Sequence, residues 1–167
     1  MAAEQLVPYN AEAIAPDVAR AIEIYEIQLG RVQSGQGAEE VFTEFRLRHG
    51  VYGQRDEGSQ MIRVKIPYGG LDADQLEILA DIGEEFSDCI IHITTRQDVQ
   101  YHYVDINNTP ELMRRLAAVG ITTQEACGNV VRNVTACPLS GVCNDETFDV
   151  TPYAQALSSF LLGHPDG

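Results

Sequence analysis

The stretch from Gln60 to Pro67 constrains the fold most. Ile62, Val64 and Ile66 alternate with Met61, Arg63 and Lys65, and a period of two is the mark of a strand. One face of that strand is aliphatic and belongs against a core. The other carries both cations, because side chains two positions apart on a strand share a face. Two like charges so close repel unless an anion or a carboxylate sits between them. Either this face meets solvent and acidic neighbours, or it binds an anion.

Regular elements follow on both sides. Tyr68-Gly69-Gly70 turns the chain into a helix from about Asp72 to Ile82, with Leu76, Leu79 and Ala80 inward and Gly83 as its stop. Cys89 to Thr94 is β-branched and reads as a second strand. Thr95 to Asp98 is a tight polar connection into a third, Val99 to Val104. There Val99, Tyr101 and Tyr103 share one face, and Gln100 and His102 the other. Thr109 caps the next helix, Pro110 suits its first position, Leu112, Leu116 and Val119 form its stripe, and Gly120 ends it. Strand, helix, hairpin, helix over residues 59–121 is an α+β sheet with helices on one face, close to a ferredoxin-like half.

Residues 1–58 read as an N-terminal helical and extended arm. Residues 1–16 are irregular, Asp17 to Val32 carry a helical stripe of Val18, Ile22, Tyr25, Ile27 and Leu29, and Ser34 to Gly37 break it. A short helix over Ala38 to Phe45 follows, then an extended arm and loop from Arg46 to Gly58. Beyond residue 121, Asn129 to Thr135 is short and β-branched. Thr151-Pro152 opens a last helix with Leu157, Phe160 and Leu161 as its stripe, and His164 to Gly167 look like the start of a linker. There is no internal repeat.

Composition narrows the function. The 167 residues carry 25 acids against 11 Lys plus Arg, a net charge of -14. That argues against nucleic-acid binding, which depends on neutralising phosphates. Such a surface is ordinary for solubility, and it could also steer a basic partner. Lys65 is the only lysine; the other cations are arginines, so their clustering is the place to look for a site. No apolar run approaches the roughly 20 residues of a membrane span, and Met1 to Pro8 lack the layout of a secretory signal. A cytoplasmic protein with reduced cysteines is the expectation. Cys89, Cys127, Cys137 and Cys143 lack zinc-pair spacing and form no compact cluster-binding run. The sequons at Asn107 and Asn133 are then chance matches.

Four places could carry chemistry. Arg63 and Lys65 are the first. Thr94-Thr95-Arg96-Gln97 brings hydroxyls, a guanidinium and an amide together at the hairpin connection, where they suit a carboxylate or simply a turn. His102 is a lone histidine, either a hydrogen-bonded packing residue or a ligand. Arg132, inside the apolar Val131-Arg132-Asn133-Val134, is half of a core ion pair or an anion-binding group. No Ser-His-Asp order, phosphate loop or metal-helix motif is present.

Three blocks in order, Met61 to Pro67, Thr95-Arg96-Gln97 and Arg132 to Leu139, resemble the first half of nitrite and sulfite reductases. The approach Arg48 to Arg55 is similar to the segment before that family's first strand. The likeness runs from about residue 45 to the end. It implies ferredoxin-like halves plus larger α/β domains, with residues 122–167 as the start of the α/β sirohaem-binding domain. It also implies a sirohaem coupled to a [4Fe-4S] cluster, and six-electron reduction of nitrite to ammonia or sulfite to sulfide. By that resemblance Arg63 and Arg132 contact the oxyanion. Arg96, Gln97 and His102 line the sirohaem, with Thr95 and Asn133 of the matched blocks beside them. The family's substrate lysines and cluster cysteines fall beyond Gly167, so the [4Fe-4S] ligands are not expected in this chain, and the chain alone is expected to be inactive. The resemblance does not choose nitrite over sulfite, nor a ferredoxin or NAD(P)H-linked donor.

Another reading stays open. A half of a pseudo-two-fold domain exposes a sheet edge, and edges recruit partners. The chain would then be a non-catalytic assembly module, pairing with the remainder of its parent or with a second copy as a homodimer. An RNA-binding sheet using Tyr101 and Tyr103 is disfavoured by the charge.

Overall fold

The alternation at residues 60–66 does build an inner strand. The computed structural model of the chain describes residues 9–56 and 58–163. Strands β1 (Val51–Gly53), β2 (Ser59–Val64), β3 (His92–Ile93) and β4 (Val99–Asp105) form one antiparallel sheet in the order β1-β2-β4-β3. The helices are α1 (Pro16–Gln33), α2 (Glu39–Arg48), α3 (Ala73–Phe86), α4 (Thr109–Ala118) and α5 (Thr151–Leu161). The architecture is α+β, with β2, α3, the β3–β4 hairpin and α4 in the order the patterning predicts. No helix among the described residues is long and apolar enough to cross a membrane.

The aliphatic face of β2 lies in the core. Ile62, Val64 and Ile66 join Val99, Tyr101 and Val104 of β4, Leu79 and Ile82 of α3, and Leu112 and Leu116 of α4. Burial of these side chains is the main favourable term in the fold. Tyr101 is fully buried and its hydroxyl donates to the Leu79 carbonyl at 2.8 Å, so its polar atom is satisfied. Ile22, Tyr25 and Leu29 of α1 and Phe42 of α2 extend the same core. Burial pushes the Tyr25 phenol up to about 12. Asp72 and Gln75 form a reciprocal capping box that fixes where α3 begins. Arg115, on α4, is buried and grips Glu85 of α3 at 2.5 and 3.2 Å, which ties the two helices together.

Several details differ from the sequence reading. β1 forms inside the stretch read as an extended arm and loop, pairing Val51 with Ile62; three residues are too few to show a period. Cys89 to Thr94 yields only the two-residue β3, because Cys89 has a positive φ and breaks the extended run. Gly83 does not stop α3, which runs on to Phe86. Leu79, Ile82 and Gly83 are its buried positions, while Leu76 and Ala80 face solvent.

In β4, two residues oppose Met61 alone, since Ile62 pairs with Tyr101 but Gln60 with Val104. This bulge, with Tyr103 at φ 59, turns Tyr103 outward and Val104 inward. Asn129 to Thr135 is not a strand. In α5 the buried residues are Ala154 and Ser158, and Leu157 and Phe160 are 49% and 69% exposed.

Candidate functional site

The face of the sheet opposite the helices carries the cations. Across it, Arg63 of β2 pairs with Gln100 of β4, and Gln100 with His92 of β3. With its amide oxygen turned toward Arg63, Gln100 accepts from Nη2 at 2.6 Å and Nε at 3.1 Å. Arg63 Nη1 also donates to the Ala126 carbonyl at 3.3 Å. Its own backbone N–H donates to Gly50 at 2.9 Å. Gly50 sits at φ +77, where a Cβ would lie 2.5 Å from the Thr123 carbonyl and 2.6 Å from that of Arg63. Only glycine fits that approach.

Lys65 follows on the same face and is covered by the segment after α4. Its N–H donates to the Thr122 carbonyl at 2.9 Å, and Nζ donates to the Val131 carbonyl at 3.3 Å. The Lys65 side chain is 3% exposed and lies 3.9 Å from Glu125, itself 6% exposed. Burial lowers the Lys65 ammonium below its usual range, against the pull of Glu125 and Asp98. Glu125 accepts from Gly163 N–H at 3.0 Å through its other oxygen. This face is therefore not solvated at Lys65.

The hairpin connection and the 133–136 segment are clamped together. Gln97, at φ 63, donates through Nε2 to the Ala136 carbonyl at 2.8 Å and accepts from the Ala136 N–H at 3.0 Å. Asn133 Nδ2 donates to the carbonyls of Ile66 at 2.6 Å and Arg96 at 2.9 Å. In return Arg96 donates to the Asn133 carbonyl at 3.1 Å. Thr95 and Arg96 stand exposed at the tip. Arg96 is thus exposed at the tip with one guanidinium N–H turned back onto Asn133, while Gln97 spends its whole amide and Asn133 its Nδ2 on holding the base of that tip, the Asn133 Oδ1 being buried without a partner.

Arg132 is different. Among the described residues it makes no ion pair or hydrogen bond, and its Nε is buried without a partner. Arg63, Arg132 and Lys65 all act on the Asp98 carboxyl, and Arg63 and Arg132 both act on the Cys127 thiol. The cations from β2 and from the covering segment therefore converge. Asp98 is held above its ordinary range by burial, partly offset by the Ile66 N–H and these cations. Burial likewise pushes the Cys127 thiol up. All four cysteines are free, and no group of three or more His, Cys, Asp or Glu among the described residues could hold a metal ion.

His102 lies farther along β4. Its ring is 4.6 Å from that of His92, and Gln54 Nε2 lies 3.0 Å from its Nδ1. Burial and the neighbouring His92 lower its basicity. Gln54 also accepts from the Tyr103 N–H at 2.7 Å, so it braces the bulge. A cleft of about 430 Å³ lined by Ile66, Tyr68, Val99 and Pro138 carries none of the arginines.

Sequence reasoning left Gln100, Asp98, Glu125 and Gln54 without roles. Gln100 had a signal, because it shares a strand face with His102. Asp98 and Glu125 had none, since their importance depends on which segment folds over β2.

This donor set suits a carboxylate-rich group or a small anion. Three cations face two carboxylates, and one buried guanidinium N–H lacks any acceptor.

Comparisons with known proteins give the family. Residues 52–119 match the family model described as nitrite/sulfite reductase ferredoxin-like half domain. A sulfite reductase [ferredoxin] of Mycobacterium tuberculosis is 32% identical over 180 residues, covering 95% of this chain and 32% of the relative. A ferredoxin–nitrite reductase of Synechococcus elongatus is 38% identical over 111 residues, 66% of this chain and 22% of that protein. The solved structure of the Mycobacterium tuberculosis NirA protein superposes with a TM-score of 0.74 at 30% identity, covering 96% of this chain and 33% of that one. The similarity thus reaches upstream of residue 45, into α1 and α2. The chain spans about a third or less of the length of these relatives.

Proposed function

The chain belongs to the nitrite/sulfite reductase family, and on that premise we propose that it is the amino-terminal part of a sirohaem-dependent reductase of nitrite or sulfite. The observation that carries this reading is Arg132, a guanidinium with a buried, unpartnered Nε on a face that already gathers Arg63 and Lys65. A buried guanidinium N–H without an acceptor is costly unless an anionic ligand completes it.

In this reading Arg63 and Arg132 hold the oxyanion, and Arg96 and Thr95 reach peripheral carboxylates of the sirohaem. His102 and Gln100 would line the sirohaem. Gln97 and Asn133 act by fixing the base from which Arg96 and Arg132 project. When bound, sirohaem supplies the electron transfer, which belongs to the cofactor and not to side chains. The chain's own contribution is electrostatic. Preset guanidinium groups bind the anion and stabilise charge on oxygen as the N–O or S–O bond breaks. The [4Fe-4S] cluster and further substrate-binding cations would come from the part of the parent that this chain does not match. A ferredoxin fits as donor, since the relatives carry it in their names. The division into 1–58, 59–121 and 122–167 belongs to the same proposal, as does the cytoplasm as the site of action.

Sirohaem capture tests it. Absorbance on adding sirohaem should shift for the native chain and lose most of that shift in an Arg96→Ala, Arg132→Ala variant. Equal capture by both would refute the arginine site. With reduced dye and nitrite or sulfite, this chain alone should give no ammonia or sulfide.

The assembly alternative retains one supporting feature. β3 is an edge strand whose Ile93 is 83% exposed. Two residues offer little template, and sedimentation at rising concentration decides whether copies pair.

A further inference from the structure

The carboxylates facing the cation cluster are unequal. Glu125 is ion-paired with Lys65 at 3.9 Å through an oxygen that makes no hydrogen bond, and its other oxygen accepts the Gly163 N–H. Asp98 is 1% exposed, makes no ion pair among the described residues, and accepts the Ile66 N–H at 3.3 Å. Its place follows from the sheet. The register that pairs Arg63 with Gln100 and Val64 with Val99 continues one step to set Asp98 opposite Lys65. Asp98 therefore shares the cationic face, with Arg63 from β2, Lys65 just beyond its end, and Arg132 and Cys127 from the covering segment around it.

We propose that Asp98 is the built-in anion of this site: it balances Arg63, Lys65 and Arg132 when no ligand is bound, and a bound oxyanion takes over that role while Asp98 takes up one proton from solvent. The inference rests on the reading of this cluster as an anion site. Its physics is charge balance in a low-dielectric setting. A ligand anion and the Asp98 carboxylate compete for the same three cations and repel one another. Protonation removes that repulsion, and the Asp98 carbonyl oxygen still accepts the Ile66 N–H. Burial works in the same direction, since it already disfavours the charged carboxyl. By linkage, whatever favours the proton on Asp98 favours the anion, and the reverse holds equally. Asp98 is thus a positioning residue that sets the pH dependence of anion binding without touching the anion.

The test uses the full chain, with sodium nitrite as probe and sodium chloride at equal ionic strength as reference. The Asp98 carboxyl carbon is followed by ¹³C NMR across pH. Its midpoint should lie above the ordinary carboxylate range in chloride. It should rise by about 0.5 pH unit or more in nitrite, a roughly threefold linkage. Asp98→Asn, which keeps the oxygen that accepts the Ile66 N–H, should bind nitrite at least about threefold more tightly at pH 8, with an affinity flat in pH. A midpoint unmoved by nitrite overturns the proposal. So does a variant whose affinity still falls with pH as in the native chain, or nitrite binding in neither protein. Failure of Arg96→Ala, Arg132→Ala to alter sirohaem capture is a separate result, and would leave a moved Asp98 midpoint standing.

Discussion

Lys65 Nζ and the Glu125 carboxylate meet 3.9 Å apart in the interior, each almost wholly out of solvent. Because both charges are buried, removing one strands the other, which costs more than the pair itself contributes. Glu125→Gln is predicted to lower stability by about 3 kcal/mol. Adding Lys65→Met in that background should recover most of the loss. Urea midpoints of the four proteins check this, and strictly additive losses would count against a coupled pair.

Asp98 makes stability depend on pH. Its carboxyl is raised by burial above its ordinary value of 3.8. A raised group contributes stability that is fully present below the unfolded-state value and is lost as pH rises through the folded-state value. Asp98→Asn cannot titrate, so it should gain on the native chain as pH rises through that window. The gap should close again below pH 3.8. Denaturant midpoints from acid to neutral pH measure it, and a gap constant with pH would contradict the assignment.

Gly50 fixes the backbone from which Arg63 projects. A Cβ there meets two carbonyl oxygens at 2.5 and 2.6 Å, at a φ of +77. Gly50→Ala is predicted to cost about 2 kcal/mol or more, because both the contact and the conformation resist it. Thermal unfolding gives the number. Gly120, also at positive φ but with nothing near its Cβ position, should suffer the smaller loss on the same substitution.

Gln97 fastens the 133–136 segment to the hairpin connection through two hydrogen bonds to Ala136. Gln97→Ala should cost about 1–2 kcal/mol and speed amide exchange at Ala136. Exchange at Tyr101, inside β4, should be little changed. Unaltered protection at Ala136 would mean that the segment is held by something else.

What could be read in advance follows from the range of the interactions. The alternating strand that is β2, the start of α3 near Asp72 and the helix stop at Gly120 are set by neighbours a few residues away, and the sequence pattern shows them. The bulge at Tyr103 was not visible, since it depends on Gln54 and on the partner strand. Arg63 was singled out as sharing a strand face with Lys65 and Arg132 as a cation in an apolar stretch, and both act on the Asp98 carboxyl. The carboxylates answering them come from remote stretches, so Asp98 and Glu125 carried no local sign. The exposure of Leu157 and Phe160 on α5 shows the opposite limit: a stripe on a helix does not say whether this chain covers it.

On the proposed function, one face of the sheet receives a polyanionic macrocycle. Hydrogen exchange of the chain with and without sirohaem locates it most directly. Slowed exchange is expected in β2, in the connection at residues 94–98 and at residues 131–136, with α1 unchanged. Protection confined to α1 and α2, where Val32, Val41 and Phe45 line a separate cleft, or no protection anywhere, would rule it out.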